Sequence, residues 1–388
     1  MKKYVSFIII NLIFIFSIPL ISYAEENKSI DLAKDAKSSI LIEQDTGKIL
    51  FEKDAHEQLP PASLTKVMTL LIVMEELDKG TLTLDETVRV SERAASMGGS
   101  QVFLAAGEEI TVEDLLKSIA IASGNDASVA IAERISGSEE AFVQRMNEKA
   151  EELQLKNTKF QNSSGLPAKN QYTSAYDLAI MSQELLTYET ITDYTSIYED
   201  YLRKGEENEF WLVNTNKLVR FYDGVDGLKT GYTSEAKYGL AATAKRDNFR
   251  VIAVVMGADT VKLRNGMVSS MLDYSFNQYE HELLFHKNDV ITTIEQLKAE
   301  KQQIPVITEQ PIAIVTKRNE DKNDLKTRIN IQEDLTLPLT KGEQIGSFQI
   351  KKGNDIILET PLTVKEDVNK ASYTTFLKRT IKNMLKIQ

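Results

Sequence analysis

The sequence predicts an α+β fold: an antiparallel sheet with a large helical insertion, then a small all-β domain and a C-terminal amphipathic helix. Two hairpin-like segments, residues 38–53 and 237–257, enclose a long region whose apolar residues recur with helical spacing. From about residue 288 to residue 368, short β-type runs alternate with polar turns. Residues 373–387 place apolar and basic side chains on opposite faces of a helix.

Composition limits the function. The 388 residues include no cysteine, and 42% of them are hydrophobic, which predicts folded domains rather than a disordered chain. The lack of cysteine excludes a disulfide scaffold, a thiolate metal site and a cysteine nucleophile. Only three histidines are present, and we expect neither a metal nor another cofactor. The net charge of −11 argues against a general nucleic-acid-binding protein.

The first 24 residues have the pattern of a secretory signal peptide. Two lysines precede an apolar run from Val5 to Ile21, and Ser22 and Ala24 place small residues where a signal peptidase needs them. We expect cleavage after Ala24 and a protein that works outside the cytoplasm. The alternative is a retained membrane helix, for which the apolar run is just long enough.

The remaining chain divides into three predicted segments: an α+β domain at residues 25–283, a β-rich domain at 284–368 and an amphipathic helix at 369–388. In the first domain, Ser38–Gln44 and Lys48–Lys53 form one hairpin, and Lys237–Ala244 and Phe249–Gly257 form another. The predicted helices are Ser63–Leu77, Val112–Ser123, Ala127–Ile135, Glu139–Leu153, Ser174–Leu186 and Val261–Tyr279.

The C-terminal helix is apolar on one half and basic on the other, at the end of an otherwise acidic chain. This combination is typical of a helix that lies on a membrane surface. The alternative is an ordinary helix packed on its own domain. The apolar half consists of Phe376, Leu377, Ile381, Met384, Leu385 and Ile387, and the basic half of Lys378, Arg379, Lys382 and Lys386.

The first chemical motif is the pair Ser63 and Lys66, three residues apart in the run PPASLTK. On a helix this spacing places both side chains on one face. A lysine can activate a serine if burial and a second cation lower its pKa. Alone, S-x-x-K is weak evidence, because a serine at a helix start is often a simple N-cap. The motif recurs at Ser234–Lys237, where we assign it no role.

Two further motifs follow in order. Ser123 and Asn125 belong to the turn Ser-Gly-Asn-Asp between two predicted helices. Lys229, Thr230 and Gly231 precede the late hairpin, where an edge strand would offer a cation, a hydroxyl and a backbone that can be approached closely.

The three motifs together are far more specific than any one of them, and this order is typical of penicillin-binding proteins and class A β-lactamases. The chain resembles the low-molecular-mass penicillin-binding proteins that are D-alanyl-D-alanine carboxypeptidases, the penicillin-binding-protein-5-like group. The resemblance extends from the signal peptide through PASLTKVMT, SGND, NSSGLP and GVDGLKTGYT to the β domain and the amphipathic tail. It implies a β-lactamase/transpeptidase-like peptidase domain at residues 25–283.

The resemblance also implies roles for the motif residues. Ser63 would attack the carbonyl of the D-Ala–D-Ala peptide, and Lys66 would be its base. Ser123 would help to relay the proton to the departing D-alanine, and Asn125 would hold the substrate amide and position Lys66. The backbone N–H groups of Ser63 and Tyr232 would form the oxyanion hole.

The opposite side of the cleft would bind the terminal carboxylate of the substrate. Lys229 would keep this side positive, Thr230 would donate a hydrogen bond to the carboxylate, and Arg264 would help to fix it. The alternative for Arg264 is an arginine on a helix surface. Some members of the group have arginines in the segment Asn214–Lys217, where this chain offers only Lys217.

The implied reaction removes the terminal D-alanine from peptidoglycan stem pentapeptides at the outer face of the cytoplasmic membrane, with β-lactams as inhibitors. A class A β-lactamase is an alternative, but no glutamate after Ile135 fits the E-x-x-x-N arrangement such enzymes need. A histidine triad would have to bridge the gap between His56 and His281. His281 and His286 miss H-E-x-x-H zinc spacing by one residue and would diverge on a helix. A non-catalytic wall-binding module is the remaining alternative.

Overall fold

The computed structural model describes residues 31–385. The predicted signal peptide and the last three residues of the predicted amphipathic helix lie outside this range. Within it, the architecture is the predicted one: an antiparallel sheet with a helical insertion, an all-β domain and a C-terminal helix. The strands are β1 (Ser38–Glu43), β2 (Ile49–Lys53), β3 (Thr87–Arg89), β4 (Glu109–Thr111), β5 (Glu199–Leu202), β6 (Phe210–Val213), β7 (Val225–Thr233), β8 (Lys237–Arg246), β9 (Phe249–Ala258), β10 (Tyr279–Phe285), β11 (Val290–Glu295), β12 (Gln303–Thr308), β13 (Ile312–Lys317), β14 (Leu325–Ile331), β15 (Gln344–Lys352) and β16 (Asp355–Val364).

The central sheet has five antiparallel strands in the order β2-β1-β9-β8-β7. The two predicted hairpins, β1–β2 and β8–β9, meet along β1 and β9, where Ile40 pairs with Val254. Every residue of β1 is buried, because helices cover both faces of the sheet. Ile40 and Ile42 belong to the apolar cluster on one face, and Leu41 belongs to the cluster on the other.

The helical insertion lies between β2 and β7 and covers one face of this sheet. Its most buried helix is α1, in which ten residues in succession from Lys66 to Glu75 are buried. The helices are α1 (Lys66–Asp78), α2 (Glu92–Ala95), α3 (Val112–Ala120), α4 (Asn125–Ser136), α5 (Glu139–Glu152), α6 (Ala175–Leu185), α7 (Ile191–Thr195), α8 (Leu218–Phe221), α9 (Val261–Gln278) and α10 (Tyr373–Leu385). Helix α9 packs on the opposite face of the sheet.

The β-rich domain contains a five-stranded sheet in the order β11-β12-β16-β15-β14 with its own apolar cluster. Three strands of this region were not predicted from sequence: β11 and β12, which belong to this sheet, and β10, which lies outside it. β10 pairs only with β13 in a two-stranded ribbon, so its formation depends on a distant partner rather than on local pattern. The predicted domain boundary between residues 283 and 284 lies inside this strand.

The segment with His281 and His286, interpreted from sequence as a domain junction rather than a zinc motif, forms the strand β10 and the residue that follows it. The side chain of His281, in β10, is buried, and its Nε2 lies 2.9 Å from Asp45 Oδ2. His286 follows the strand and is 78% exposed. Because one side chain points into the protein and the other into solvent, the pair does not form a metal site.

Helix α10 has no buried residue, and the side chains of Leu377, Ile381, Met384 and Leu385 are all exposed. It is attached to the β domain mainly through Arg379, whose guanidinium donates to the carbonyl groups of Leu297, Ala299 and Glu300. No helix within residues 31–385 is long and apolar enough to cross a bilayer.

Candidate active site

Ser63 lies in a tight turn ahead of the α-helix rather than in its first turn. The predicted helix began at Ser63, but Ala62–Thr65 form a 3₁₀ turn and α1 begins at Lys66. A 3₁₀ helix has three residues per turn, so side chains three positions apart lie directly above one another. Ser63 is half-exposed while Lys66 is fully buried. The turn therefore presents the hydroxyl to the cleft with the amine beneath it.

Three oxygen atoms surround the amine of Lys66. Its Nζ lies 3.1 Å from Ser63 Oγ, 2.7 Å from Asn125 Oδ1 and 2.5 Å from the carbonyl oxygen of Ser164. Burial, and then the positive charge of Lys229, hold the pKa of Lys66 well below its usual range, while Asp126 opposes them. A neutral amine has two N–H donors and one lone pair. Asn125 and Ser164 can accept both donors, which leaves the lone pair for the serine hydroxyl.

Asn125 reaches the same site from the start of α4, and Ser123 lies two residues before it in the turn that follows α3. Ser123 has a positive φ of 66°, an uncommon conformation for a residue other than glycine. Its buried hydroxyl makes no hydrogen bond within the described part of the chain. Asn125 is fixed by the loop at residues 98–100, because its Nδ2 donates to the carbonyl of Gly98 and its backbone N–H donates to the carbonyl of Ser100. Asn125 is thus held in direct contact with Lys66, whose Nζ donates to its Oδ1.

The loop Asn162–Gly165 supplies a contact that sequence reasoning did not assign. Ser164 gives its carbonyl to Lys66, and Ser163 gives its carbonyl to the hydroxyl of Thr69, one turn further along α1. Gly165 has φ +87°, and a Cβ there would lie 1.8 Å from the carbonyl oxygen of Ala62. The glycine of the NSSGLP run was the sequence feature that could have indicated this contact, since only glycine permits such a close approach of two backbone segments.

The Lys-Thr-Gly motif lies on β7, the edge strand of the central sheet, as predicted. Lys229 is buried, and burial together with Arg264 lowers its pKa to about 7. The hydroxyl of Thr230 donates to that of Thr215 at 2.8 Å. A Cβ on Gly231 would lie 3.0 Å from the carbonyl oxygen of Pro61. The glycine therefore lets the edge strand pass close to the turn that carries the serine.

Arg264 and Tyr232 complete the predicted set. Arg264 lies in the first turn of α9 and is only 3% exposed, so it is not the surface arginine of the alternative interpretation. Burial lowers its pKa to about 10, and its charge acts on Lys229. Tyr232 is exposed at the end of β7 and stacks on Tyr238 at 4.3 Å between ring centroids.

A second S-x-x-K pair is placed quite differently. Ser234 lies in the turn between β7 and β8, Lys237 is the first residue of β8, and both are exposed. The structure does not bring them into the cleft.

One group of possible metal ligands occurs within residues 31–385. Side-chain ligand atoms of Glu43, Asp45 and His281 lie within 4.8 Å of one another. Both oxygens of Glu43 already accept hydrogen bonds from the turn at Asp45 and Thr46. His281 pairs with Asp45, which helps to raise its pKa against the effect of burial. We therefore describe this group as a buried ion pair at a turn, remote in the fold from Ser63.

Comparison with known proteins identifies a family for both domains of the chain. The family "D-alanyl-D-alanine carboxypeptidase" (peptidase S11) matches residues 24–260, and "Penicillin-binding protein 5, C-terminal domain" matches residues 279–370. D-alanyl-D-alanine carboxypeptidase DacF from Bacillus subtilis is 51% identical over 389 residues, covering all of both chains.

Two solved structures are also similar. Penicillin-binding protein 5 from Haemophilus influenzae aligns with a TM-score of 0.72 and 30% identity, over 86% of this chain and 98% of that one. Penicillin-binding protein D2 from Listeria monocytogenes, in its cefotaxime-bound form, aligns with a TM-score of 0.57 and 30% identity, over 62% and 97%. The family matches and the 51% identity to DacF show that this chain belongs to the serine D-alanyl-D-alanine carboxypeptidases of the penicillin-binding-protein-5 type.

Proposed function

We propose that this protein removes the terminal D-alanine from peptidoglycan stem pentapeptides through an acyl-enzyme on Ser63. The observation that carries the proposal is the amine of Lys66, which is buried, has a lowered pKa and lies 3.1 Å from Ser63 Oγ. A serine needs such a base to become a nucleophile.

In the acylation step, Ser63 Oγ forms a bond to the penultimate D-alanine carbonyl carbon while the C–N bond to the terminal D-alanine breaks. The serine proton passes to Lys66 and is delivered to the departing nitrogen, with Ser123 as a relay. The free, buried hydroxyl of Ser123 supports this role. Backbone N–H groups of Ser63 and Tyr232 stabilise the oxyanion. Water then hydrolyses the ester, with Lys66 again as the base.

The terminal carboxylate of the substrate binds beside the edge strand. Two buried cations, Lys229 and Arg264, lie close enough for their charges to interact, and Thr230 adds a hydroxyl next to Lys229. A carboxylate that brings a negative charge to two buried cations relieves their mutual repulsion. The positive charge of Lys229 also favours the neutral form of Lys66, so one residue serves both recognition and base strength.

β-Lactams acylate the same serine as substrate mimics. The Listeria relative was solved in a cefotaxime-bound form, and it shares the fold of the peptidase domain. Penicillin is therefore both an inhibitor and a label for this site.

The test is D-alanine release from a diacyl-Lys-D-Ala-D-Ala tripeptide by the chain lacking residues 1–24. We expect release that penicillin abolishes and that falls by about a thousandfold or more in Ser63→Ala. Penicillin labelling without release would assign the acylation chemistry to another peptide substrate. Neither labelling nor release by folded protein would contradict the enzymatic proposal and favour a wall-binding module.

We further propose that the mature protein lies outside the cytoplasm, attached to the outer face of the membrane through α10. Within residues 373–385 the helix carries three basic residues and no acidic one. The exposed apolar side chains of Leu377, Ile381 and Met384 support this placement.

Vesicle sedimentation tests the attachment. The mature chain should bind vesicles that contain anionic lipid, and replacing Leu377, Ile381 and Met384 by serine should abolish binding without affecting tripeptide hydrolysis. Equal binding by the triple variant would contradict the anchor.

A further inference from the structure

Glu139 is a buried carboxylate close to the catalytic lysine, at the first position of helix α5. Its side chain is almost inaccessible, and glutamate is rarely buried unless it is paired. Oε1 accepts hydrogen bonds from both the backbone N–H and the hydroxyl of Ser163, at 3.0 and 2.9 Å. Oε2 pairs with Arg93 at 2.5 Å. Apart from the pair with Arg93, both hydrogen bonds that this carboxylate accepts come from Ser163, in the loop Asn162–Gly165.

That loop is held from its other side by α1. The carbonyl of Ser163 accepts from Thr69, and the carbonyl of Ser164 accepts from Lys66. The Ser163–Ser164 segment is thus clamped between Glu139 and the helix that carries the base. If Glu139 were removed, the buried N–H of Ser163 would lose its partner, and the segment would move toward another acceptor.

The position of the Ser164 carbonyl matters because it determines the direction of the Lys66 lone pair. A neutral amine rotates freely about its last C–N bond unless its two N–H groups have fixed acceptors. Asn125 supplies one acceptor and Ser164 the other. With only one acceptor in place, the lone pair would point at Ser63 for a fraction of the time, and displacements of about 1 Å can cost about a hundredfold in rate.

We propose that Glu139 is a positioning residue for acylation, acting through Ser163 and Ser164 on the orientation of Lys66. It touches neither the substrate nor the reacting atoms. Its hydrogen bonds reach Lys66 only through Ser163 and Ser164, so its contribution is a geometric one. The proposal rests on the proposed function only in that Lys66 is the base.

The chain offers a matched control in the next residue. Glu140 follows Glu139 in the first turn of α5 and also lies near Arg93, at 3.5 Å, but it is 73% exposed. Both hydrogen bonds that Ser163 donates go to Glu139. Glu140→Ala therefore removes the same charge from the same helix turn and leaves the loop untouched.

The test measures the rate of acylation by a fluorescent penicillin, per titrated active site, in the mature chain. We expect Glu139→Ala to slow acylation by about 10- to 100-fold while KM for the tripeptide changes less than about threefold. Glu139→Gln keeps a carbonyl oxygen that can accept from Ser163 and should recover most of the rate. Glu140→Ala should remain within about twofold of the parent rate.

A Glu139→Ala protein with a lower melting temperature but the parent acylation rate per active site would overturn the proposal, because Glu139 would then be merely structural. Equal slowing by Glu140→Ala would also overturn it. If Glu139→Ala does not fold, Glu139→Asp provides the test, since it keeps the charge but withdraws the carboxylate from Ser163 and should be equally slow. Penicillin acylation reports on this proposal even if the parent protein releases no D-alanine.

Discussion

The chain contains the pattern S-x-x-K twice, at Ser63–Lys66 and at Ser234–Lys237, and the two pairs lie in opposite environments. In the first pair the lysine is fully buried and its amine is 3.1 Å from the serine hydroxyl. In the second pair both residues are exposed, Ser234 in the turn after β7 and Lys237 at the first position of β8. The same residue types at the same spacing therefore place the amine out of water and beside the serine hydroxyl in one pair, and in solvent in the other.

The difference lies in what surrounds the amine. Lys66 is removed from water, lies near the positive charge of Lys229, and has two fixed acceptors in Asn125 and Ser164. Burial and a neighbouring cation both disfavour the ammonium form. Lys237, by contrast, is exposed to solvent, as is Ser234.

Replacing each lysine by methionine tests this difference and has the largest expected effect. Lys66→Met removes the base, and we expect penicillin acylation to fall by about 10²- to 10⁴-fold. Lys237→Met should leave the rate unchanged within about twofold. Stopped-flow labelling with a fluorescent penicillin measures both variants. Comparable losses in the two would mean that environment does not distinguish the motifs.

The close contact between Gly165 and the turn that carries Ser63 can also be tested. A Cβ at this position would lie 1.8 Å from the Ala62 carbonyl, so the turn or its neighbouring loop must move. We expect Gly165→Ala to destabilise the protein by more than about 3 kcal/mol. Gly137 is a matched control, because it also has a positive φ, of 82°, but a Cβ added there would have no atom within 4 Å.

Gly137→Ala should cost only about 1 kcal/mol, the price of a left-handed alanine. Urea unfolding of both variants measures the contrast. Similar losses in the two would show that contact with Ala62 contributes little.

The smallest expected effect concerns the pH dependence of substrate binding. The pKa of Lys229 is lowered to about 7, so this residue is charged below pH 7 and becomes neutral above it. Because the charge attracts the substrate carboxylate, KM should rise about several-fold between pH 6 and pH 8.5. In Lys229→Arg the charge persists over this range, and the KM should be flat. A KM that is constant or falls in the parent protein would contradict the role of Lys229.

The motifs allowed much of this site to be predicted. Ser63, Lys66, Ser123, Asn125 and Lys229 were identified from the sequence, and the structure brings Ser63, Asn125 and Lys66 into direct contact. Side chains within motifs can be recognised because their chemistry requires particular residue types.

The supporting contacts could not be predicted in the same way. Ser164 acts through its carbonyl, which every residue has, and it meets Lys66 across 98 positions of sequence. Glu139 reaches Ser163 across 24 positions. Such contacts depend on how the helices pack, and no local pattern reports them. For a similar reason β10 was missed, since its pairing partner β13 lies some thirty residues away.

The most direct test of the central claim is to identify which serine penicillin acylates. The mature protein would be labelled to saturation, digested and analysed by mass spectrometry, with Ser63→Ala and Ser234→Ala treated alongside. One adduct per chain is expected, on Ser63, in the parent and in Ser234→Ala, with none in Ser63→Ala. An adduct on Ser234, or a label that persists in Ser63→Ala, would contradict the claim that the buried lysine selects the nucleophile.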